Sequence, residues 1–327
     1  MSRRAGLFSC LAPTVLLLTF SLAEAQETKK VPRIGFVAGS REGTIIGAFQ
    51  RGLRDLGYID GKHIQVEYRY AEGNVDRIPT LVNELVQLKV DVLVVITLIG
   101  IRAAKEATKT IPIVMVTTQD PVATGIIDSL GRPGGNITGV TTLTRDLNGK
   151  RLELLKETVV GISRVGVLWD TNSGPGPAIA FKEYEASAGG LKIQLQSLAV
   201  RGPNPDFDGS FQAATKGHIS AITINNLVLT RYQKRIADLA LKNRLPSMCE
   251  RNDYVEAGCL MSYSANDAEV YRRAAFYVDK ILKGAKPAEL PVEQPTKFEL
   301  VINLKAAKQI GVTISQTILY RADKVIR

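Results

Sequence analysis

The stretch "VDVLVVITLIGIRAAKEATKTIPIVMVTTQDPV", residues 90–122, decides the fold. It opens on an apolar run of strand length, "VDVLVVIT", passes through the amphipathic "GIRAAKEATKT", and returns to a second apolar run, "IPIVMVTT". Strands without polar alternation, separated by a helix, belong to a parallel sheet covered on both faces. Both runs end in small polar residues: Thr97 in the first, Thr117, Thr118 and Asp120 in the second. In open parallel sheets ligands bind beyond the carboxyl ends of the strands, so these endings are candidate site positions.

The same alternation extends both ways. Upstream, "VPRIGFVAG" and "HIQVEYRY" read as strands around the helix "GTIIGAFQRGLRDLGY", and "DRIPTLVNELVQLK" is a further helix. Downstream, the Gly/Pro-rich "GRPGGNITGVTT" reads as punctuation. After it "LNGKRLELLKETVV", "PAIAFKEYEASAGG", "FDGSFQAATKG" and "TRYQKRIADLALKN" read as helices between the strands "RVGVLWD", "KIQLQSLAV", "ISAITIN" and "LPSMCE". Two α/β units of similar size follow, and facing strand ends would line a cleft between them. The tail adds "GCLMSYS", the long helix "NDAEVYRRAAFYVDKILKG", a Pro-bounded segment and a last short helix and strand in "KAAKQIGVTI". That much extra structure predicts a chain that recrosses between the units.

The 327 residues have 45% hydrophobic and 23% charged composition, that of a soluble two-domain protein. Met1 to Ala25 has the three parts of a secretory signal: Arg3 and Arg4, the apolar "CLAPTVLLLTFSLA", then Ala23-Glu24-Ala25. Cleavage is predicted after Ala25, with periplasmic localisation. The apolar run is broken by Pro13 and shorter than the roughly 20 residues a spanning helix needs. Cys10 precedes most of that run, contrary to a lipoprotein signal. Losing Arg3, Arg4 and Glu24 lowers the formal net charge from +10 to +9. Basic residues are interleaved with acidic ones along helices such as "KRIADLALKNR", so no nucleic-acid partner is expected.

Cys249 and Cys259 remain after export. They can form a disulfide if their strands are neighbours, or pack as free buried thiols. Two cysteines and two distant histidines make no metal site. His63 and His218 both precede strands, away from the expected cleft, so a Ser-His-Asp or Cys-His centre lacks its base. No GxxxxGK[ST] occurs and "PGGNITG" is not a dinucleotide fingerprint; no catalytic residue and no cofactor are assigned.

The segments "AFQRGLRDLGYIDGKHIQVEYRYAEGNVDRIPTLVNELVQLKVDVLVV", "IPIVMVTTQDPV", "RPGGNITGV" and "KGAKPAELPVEQPTKFELVINLKAAKQIGV" resemble the ABC-transporter substrate-binding proteins related to the tryptophan-binding TrpX group. The resemblance implies a type I periplasmic-binding fold: α/β, two Rossmann-like lobes with parallel sheets, a multi-strand hinge, and a ligand closed between the lobes. It also implies delivery to an inner-membrane permease whose ATPase lies on separate chains. The expected division is a signal at 1–25, a first lobe at 31–141 plus about 262–296, and a second at 142–261 plus about 297–327. The protein is expected to act as a monomer.

Ligand-binding candidates are the polar residues at strand ends: Ser40, Thr97, Thr117, Thr118 and Asp120 in the first lobe, with Asn172, Ser173, Asn225 and Glu250 in the second. Their hydroxyls and amides, with helix N-termini behind them, suit a carboxylate or other polar head group. Asp120 or Glu250 could hold an ammonium. Each of these residue types also caps helices, so capping and ligand contact stand as alternatives at every position. Asp120 before Pro121 is also a turn former. Trp169 and Tyr263 either stack on a flat ligand or belong to the core. The expected ligand is a small polar organic molecule, amino-acid-like or an aromatic or carboxylic acid, captured by hinge closure. The rival readings are a ligand sensor for a membrane receptor and a Rossmann-type periplasmic enzyme.

Overall fold

Residues 92–95 and 113–117 form the centre of a five-stranded, all-parallel sheet in the computed structural model, which describes residues 30–39, 44–142, 144–171, 176–202, 204–224 and 227–327. In chain order the first lobe contains β1 (Arg33–Ala38), α1 (Thr44–Asp55), β2 (Gln65–Tyr70), α2 (Ile78–Gln87), β3 (Val92–Val95), α3 (Leu98–Ala107), β4 (Ile113–Thr117) and β5 (Ile137–Thr141). The strand order is β2-β1-β3-β4-β5. All residues of β3 and β4 are buried because one face packs on a core around Phe36, Phe49 and Tyr277 and the other on a core around Ile78, Leu85 and Ile101. Burying each Val, Ile or Leu there stabilises the fold by about 1.5–3 kcal/mol.

β5 lies where the sequence suggested only punctuation. Its glycine is structural: Gly139 has φ +139, and a Cβ there would stand 2.0 Å from the Met115 carbonyl oxygen. A side chain would therefore break the pairing with β4. That glycine and the Pro-Gly-Gly ahead of it hide a buried strand behind the composition of a turn.

The second lobe contains α4 (Thr144–Thr158), β6 (Arg164–Asp170), α5 (Gly176–Ala188), β7 (Gln194–Val200), α6 (Phe207–Lys216), β8 (Ala221–Ile224), α7 (Gln233–Lys242), β9 (Ser247–Cys249), α8 (Asn252–Ala257) and β10 (Met261–Ala265). Next come α9 (Asp267–Leu282), β11 (Phe298–Asn303), α10 (Leu304–Ile310), α11 (Gln316–Arg321) and β12 (Lys324–Ile326). The second sheet has the order β12-β11-β10-β9-β8-β6-β7, with only the β10–β11 pair antiparallel. It too has a core on each face.

α9 belongs to the first lobe, where Tyr271, Ala274, Ala275 and Val278 join the core of β1 and β3. The segment after it runs beside β5: the Thr141 amide donates to the Glu293 carbonyl at 2.9 Å, and the Glu293 amide donates to the Gly139 carbonyl at 3.0 Å. The chain thus crosses between lobes after β5, after β10 and before β11. A return to the first lobe near Ser262 falls inside β10, which pairs in the second sheet; the crossing comes at Asn266, the N-cap of α9. In the tail, "GVTI" is not a strand. Gly311 ends α10 in a left-handed conformation, and the closing strand is β12.

Cys249 ends β9, Cys259 precedes the neighbouring β10, and the two form a disulfide with a Cα separation of 6.7 Å. The ring encloses α8 and Glu250. In the chain-entropy account, closing a loop of this size restricts the unfolded chain by about 2–3 kcal/mol. The Cys249→Ala/Cys259→Ala double variant is accordingly expected to lose about that much stability in urea unfolding followed by circular dichroism. A loss below about 0.5 kcal/mol would mean that the hydrogen bonds holding α8 suffice.

Candidate functional site

The carboxyl ends of β3, β4, β9 and β10 meet at one cavity of about 140 Å³ between the lobes. This is several times the roughly 10–15 Å³ needed to admit one water, space for a small organic molecule. The first lobe supplies Thr97, Leu98 and Ile99 at the start of α3, then Thr117, Thr118 and Gln119 after β4. Opposite them stand Gly176 and Pro177 at the start of α5, with Arg151 of α4 and the pair Glu250-Arg251 after β9. Ser264, Asp267 and Tyr271 close the hinge side. Val75, Ile78, Ile96 and Leu98 make the first lobe's wall largely apolar.

Thr97 both lines the cavity and caps a helix. Its Oγ1 accepts the Gly100 amide at 3.2 Å, and its carbonyl accepts Ile101 N–H at 2.8 Å. The amides of Leu98 and Ile99, in the first turn, have no intrahelical acceptor and carry the positive end of the helix dipole. Thr117 and Thr118 are tied to Gln119: the Gln119 amide donates to Thr117 Oγ1 at 3.2 Å, and Gln119 Nε2 donates to Thr118 Oγ1 at 2.7 Å. Asp120 lies outside the cavity lining; its Oδ1 accepts the amides of Val122 at 2.8 Å and Ala123 at 3.1 Å, bracing its own turn. Ser40, Asn172, Ser173 and Asn225 lie outside the described residues.

The electrostatics come from residues the sequence reading did not single out, apart from Glu250. Arg151 is 2% exposed. It donates from Nε to the Tyr263 carbonyl at 2.8 Å, from Nη1 to Asn148 Oδ1 at 2.9 Å and from Nη2 to the Glu250 carbonyl at 3.4 Å. Arg251 is held by Asp253 at 2.8 Å and, across the hinge, by Asp267 at 3.0 Å. Burial opposes the charge of Arg251, but Asp267 and Asp253 outweigh it and raise its pKa. Burial pushes the Glu250 carboxyl above its ordinary 4.5, against the pull of Arg151 and Arg251. Among the described residues none donates a hydrogen bond to that carboxylate. The cavity therefore offers a desolvated acid on one side and helix-terminal N–H groups on the other, a charge pattern complementary to a zwitterion.

Trp169 packs on Phe181 with ring centroids 5.6 Å apart and donates Nε1–H to Ser197 Oγ at 2.8 Å; Tyr263 packs on Phe298 at 5.9 Å. Both face the second lobe's core rather than the cavity. His63 and His218 sit before β2 and β8, at the opposite ends of the strands from the cavity. Among the described residues no group of three metal-ligating side chains occurs, and no helix is long and apolar enough to cross a membrane.

Known proteins share this architecture. A Vibrio cholerae protein solved as a conserved domain protein is 27% identical, superposes with a TM-score of 0.80, and the match covers 90% of this chain and 100% of that one. A Streptococcus pneumonia ABC domain solved in complex with L-Trp is 24% identical, with a TM-score of 0.81 over 90% of this chain and 99% of the other. A tyrosine-binding protein of Clostridioides difficile (strain R20291) is 24% identical over 263 residues, 80% of this chain and 75% of the relative. The model of the family described as ABC transporter substrate binding protein matches residues 30–326. Two Rossmann-like lobes around a ligand-sized cavity, together with that match along nearly the whole chain, make this protein a member of the ABC transporter substrate-binding protein family.

Proposed function

We propose that the protein is the exported solute-binding component of an ABC importer, capturing an amino acid or a close analogue in the inter-lobe cavity and presenting it to a membrane permease. The observation that carries the ligand class is the pairing of a desolvated acid, Glu250, whose carboxylate accepts no hydrogen bond among the described residues, with the N-terminal amides of α3 across one cavity. An α-ammonium placed at Glu250 gives the desolvated carboxylate a charge-assisted bond, and a carboxylate at Thr97, Leu98 and Ile99 meets the helix dipole. Relatives that bind tyrosine or hold L-Trp support the same class.

Both lobes contribute contacts, so ligand favours the closed arrangement, the form a permease can distinguish from the open one. Export through the segment 1–25 and action as a monomer complete the reading. Asn172, Ser173 and Asn225 belong to it as further contacts from the second lobe, and Ser40 from the first.

A thermal-shift and calorimetric screen of L-amino acids, aromatic acids and small carboxylates tests the reading. A ligand at 100 times its dissociation constant adds about 2.7 kcal/mol of stability. Failure of every amino acid to bind stoichiometrically, or turnover of a bound compound to product, would overturn it.

The acid also sets a pH dependence. Glu250 must be ionised to hold an ammonium, and its pKa is raised, so binding at low pH requires proton release. Amino-acid affinity is expected to fall as pH drops through a window above 4.5, approaching tenfold per pH unit at its lower end. Arg151, Arg251, Asp253 and Asp267 surround the group; Arg151 and Arg251 limit the shift, and Asp253 and Asp267 enlarge it. Calorimetry at several pH values reads this directly, and a flat profile would remove Glu250 from the ligand.

A further inference from the structure

A second inter-lobe contact stands at the cleft's outer edge, away from the hinge. β2 is the strand farthest from β5, at whose end the hinge begins, so a hinge rotation separates the loop after β2 most. That loop is tied to its own lobe: the Ala71 amide donates to the Ala38 carbonyl at 3.0 Å and the Gly73 amide to the Gly39 carbonyl at 3.2 Å. Glu72 at φ 50 and Gly73 at φ 76 turn the backbone left-handed. The turn presents the Glu72 carbonyl to the other lobe, where Arg231 Nη1 donates to it at 3.0 Å.

Neither side of the contact is incidental. Arg231 lies in the 3-10 helix Leu227–Tyr232 after β8, and its guanidinium is braced on the Tyr232 ring at 4.6 Å. Tyr232 in turn meets the buried Phe207 edge-on at 5.2 Å. The guanidinium also lies close against Gly73, where an added Cβ would stand 2.2 Å from Nη1. Any side chain at position 73 would push the arginine off the carbonyl. Val75, two residues on, lines the ligand cavity.

We infer that Arg231 and the Glu72-Gly73 turn form a clasp across the mouth of the cleft that is made on closure and sets how long ligand is retained. Arg231 is a positioning residue: it has no place in the cavity lining and acts through the closed arrangement of the lobes. The clasp rests on the amino-acid-capture reading, because retention matters only where closure holds a ligand. A contact made after encounter is read in the dissociation rate, while association proceeds through the open form.

The test follows L-tyrosine and L-tryptophan, as probes, by stopped-flow binding to the wild type, Arg231→Met and Arg231→Lys. In Arg231→Met the off-rate of a bound probe is expected to rise about tenfold or more with an unchanged on-rate, the scale of one hydrogen bond from a charged donor. Arg231→Lys, which keeps a charged donor, recovers part of the retention. An unchanged off-rate in Arg231→Met overturns the clasp. Should neither probe bind the wild type, that counts against the amino-acid reading, and hydrogen exchange over residues 71–75 in wild type and Arg231→Met decides the clasp instead. Faster exchange in the variant supports it, and equal exchange overturns it.

Discussion

Glu250→Gln is expected to weaken amino-acid binding by on the order of 30- to 4,000-fold, the 2–5 kcal/mol typical when one partner of a buried charge pair is truncated. The amide keeps the shape of the carboxyl but supplies no charge to the ammonium. Stability should move the other way. With its pKa raised, Glu250 favours folding fully only while protonated, and that contribution is lost as pH rises through the raised value. Gln imitates the protonated form, so the ligand-free variant should melt at or above the wild-type temperature at neutral pH. Calorimetry for affinity and a ligand-free thermal melt separate the two effects. A variant that binds normally would show that the ligand's cation lies elsewhere, with Asp267 the next carboxylate on the cavity wall.

Arg151→Met should cost stability rather than affinity alone. Removing the guanidinium, itself only 2% exposed, leaves the Tyr263 and Glu250 carbonyls and Asn148 Oδ1 without this donor. It also takes from Glu250 its strongest electrostatic support and from buried Tyr184 a neighbouring cation. Losses on breaking a buried charged group's network run to about 3–5 kcal/mol. Urea unfolding should show that loss as a lowered midpoint with an unchanged slope. A midpoint within about 0.5 kcal/mol of wild type would mean that Met packs well enough to replace the network. In the folded variant, ligand binding should begin to fall at a higher pH than in the wild type, because Glu250 without Arg151 holds its proton to higher pH.

The legible part of the fold was the part written in hydrophobic pattern. "VLVV" and "IVMVT" are buried on both faces of the first sheet, and the lobes and the cleft follow from apolar runs and their spacing. Pattern failed where a strand is written in other letters. β5 carries a glycine because Met115 approaches its backbone too closely for any side chain, and the six-residue α8 is too short to show a helical period. The site divided in the same way. Thr97, Thr117, Thr118 and Glu250 were legible because a strand's end is a place in the sequence, and they line the cavity. Asp120 obeys the same rule but turns its carboxylate to its own loop, where it accepts the amides of Val122 and Ala123.

Arg151 and Asp267 were out of reach by that route. In "LNGKRLELLK" Arg151 follows Lys150 with nothing to mark it, yet Lys150 reaches out to Glu153 while Arg151 is buried against three acceptors from α4, the segment just after β9, and β10. Asp267 looks like an ordinary acid in a first helical turn, and only the crossing after β10 sets it beside Arg251. By itself the sequence determined two parallel-sheet lobes and the strand ends that face each other, because burial and hydrogen bonding along a strand depend on near neighbours. Only the tertiary structure decided which charges share the cavity and where the lobes clasp, because those pairings join residues such as Glu72 and Arg231 that meet only once the two lobes are packed.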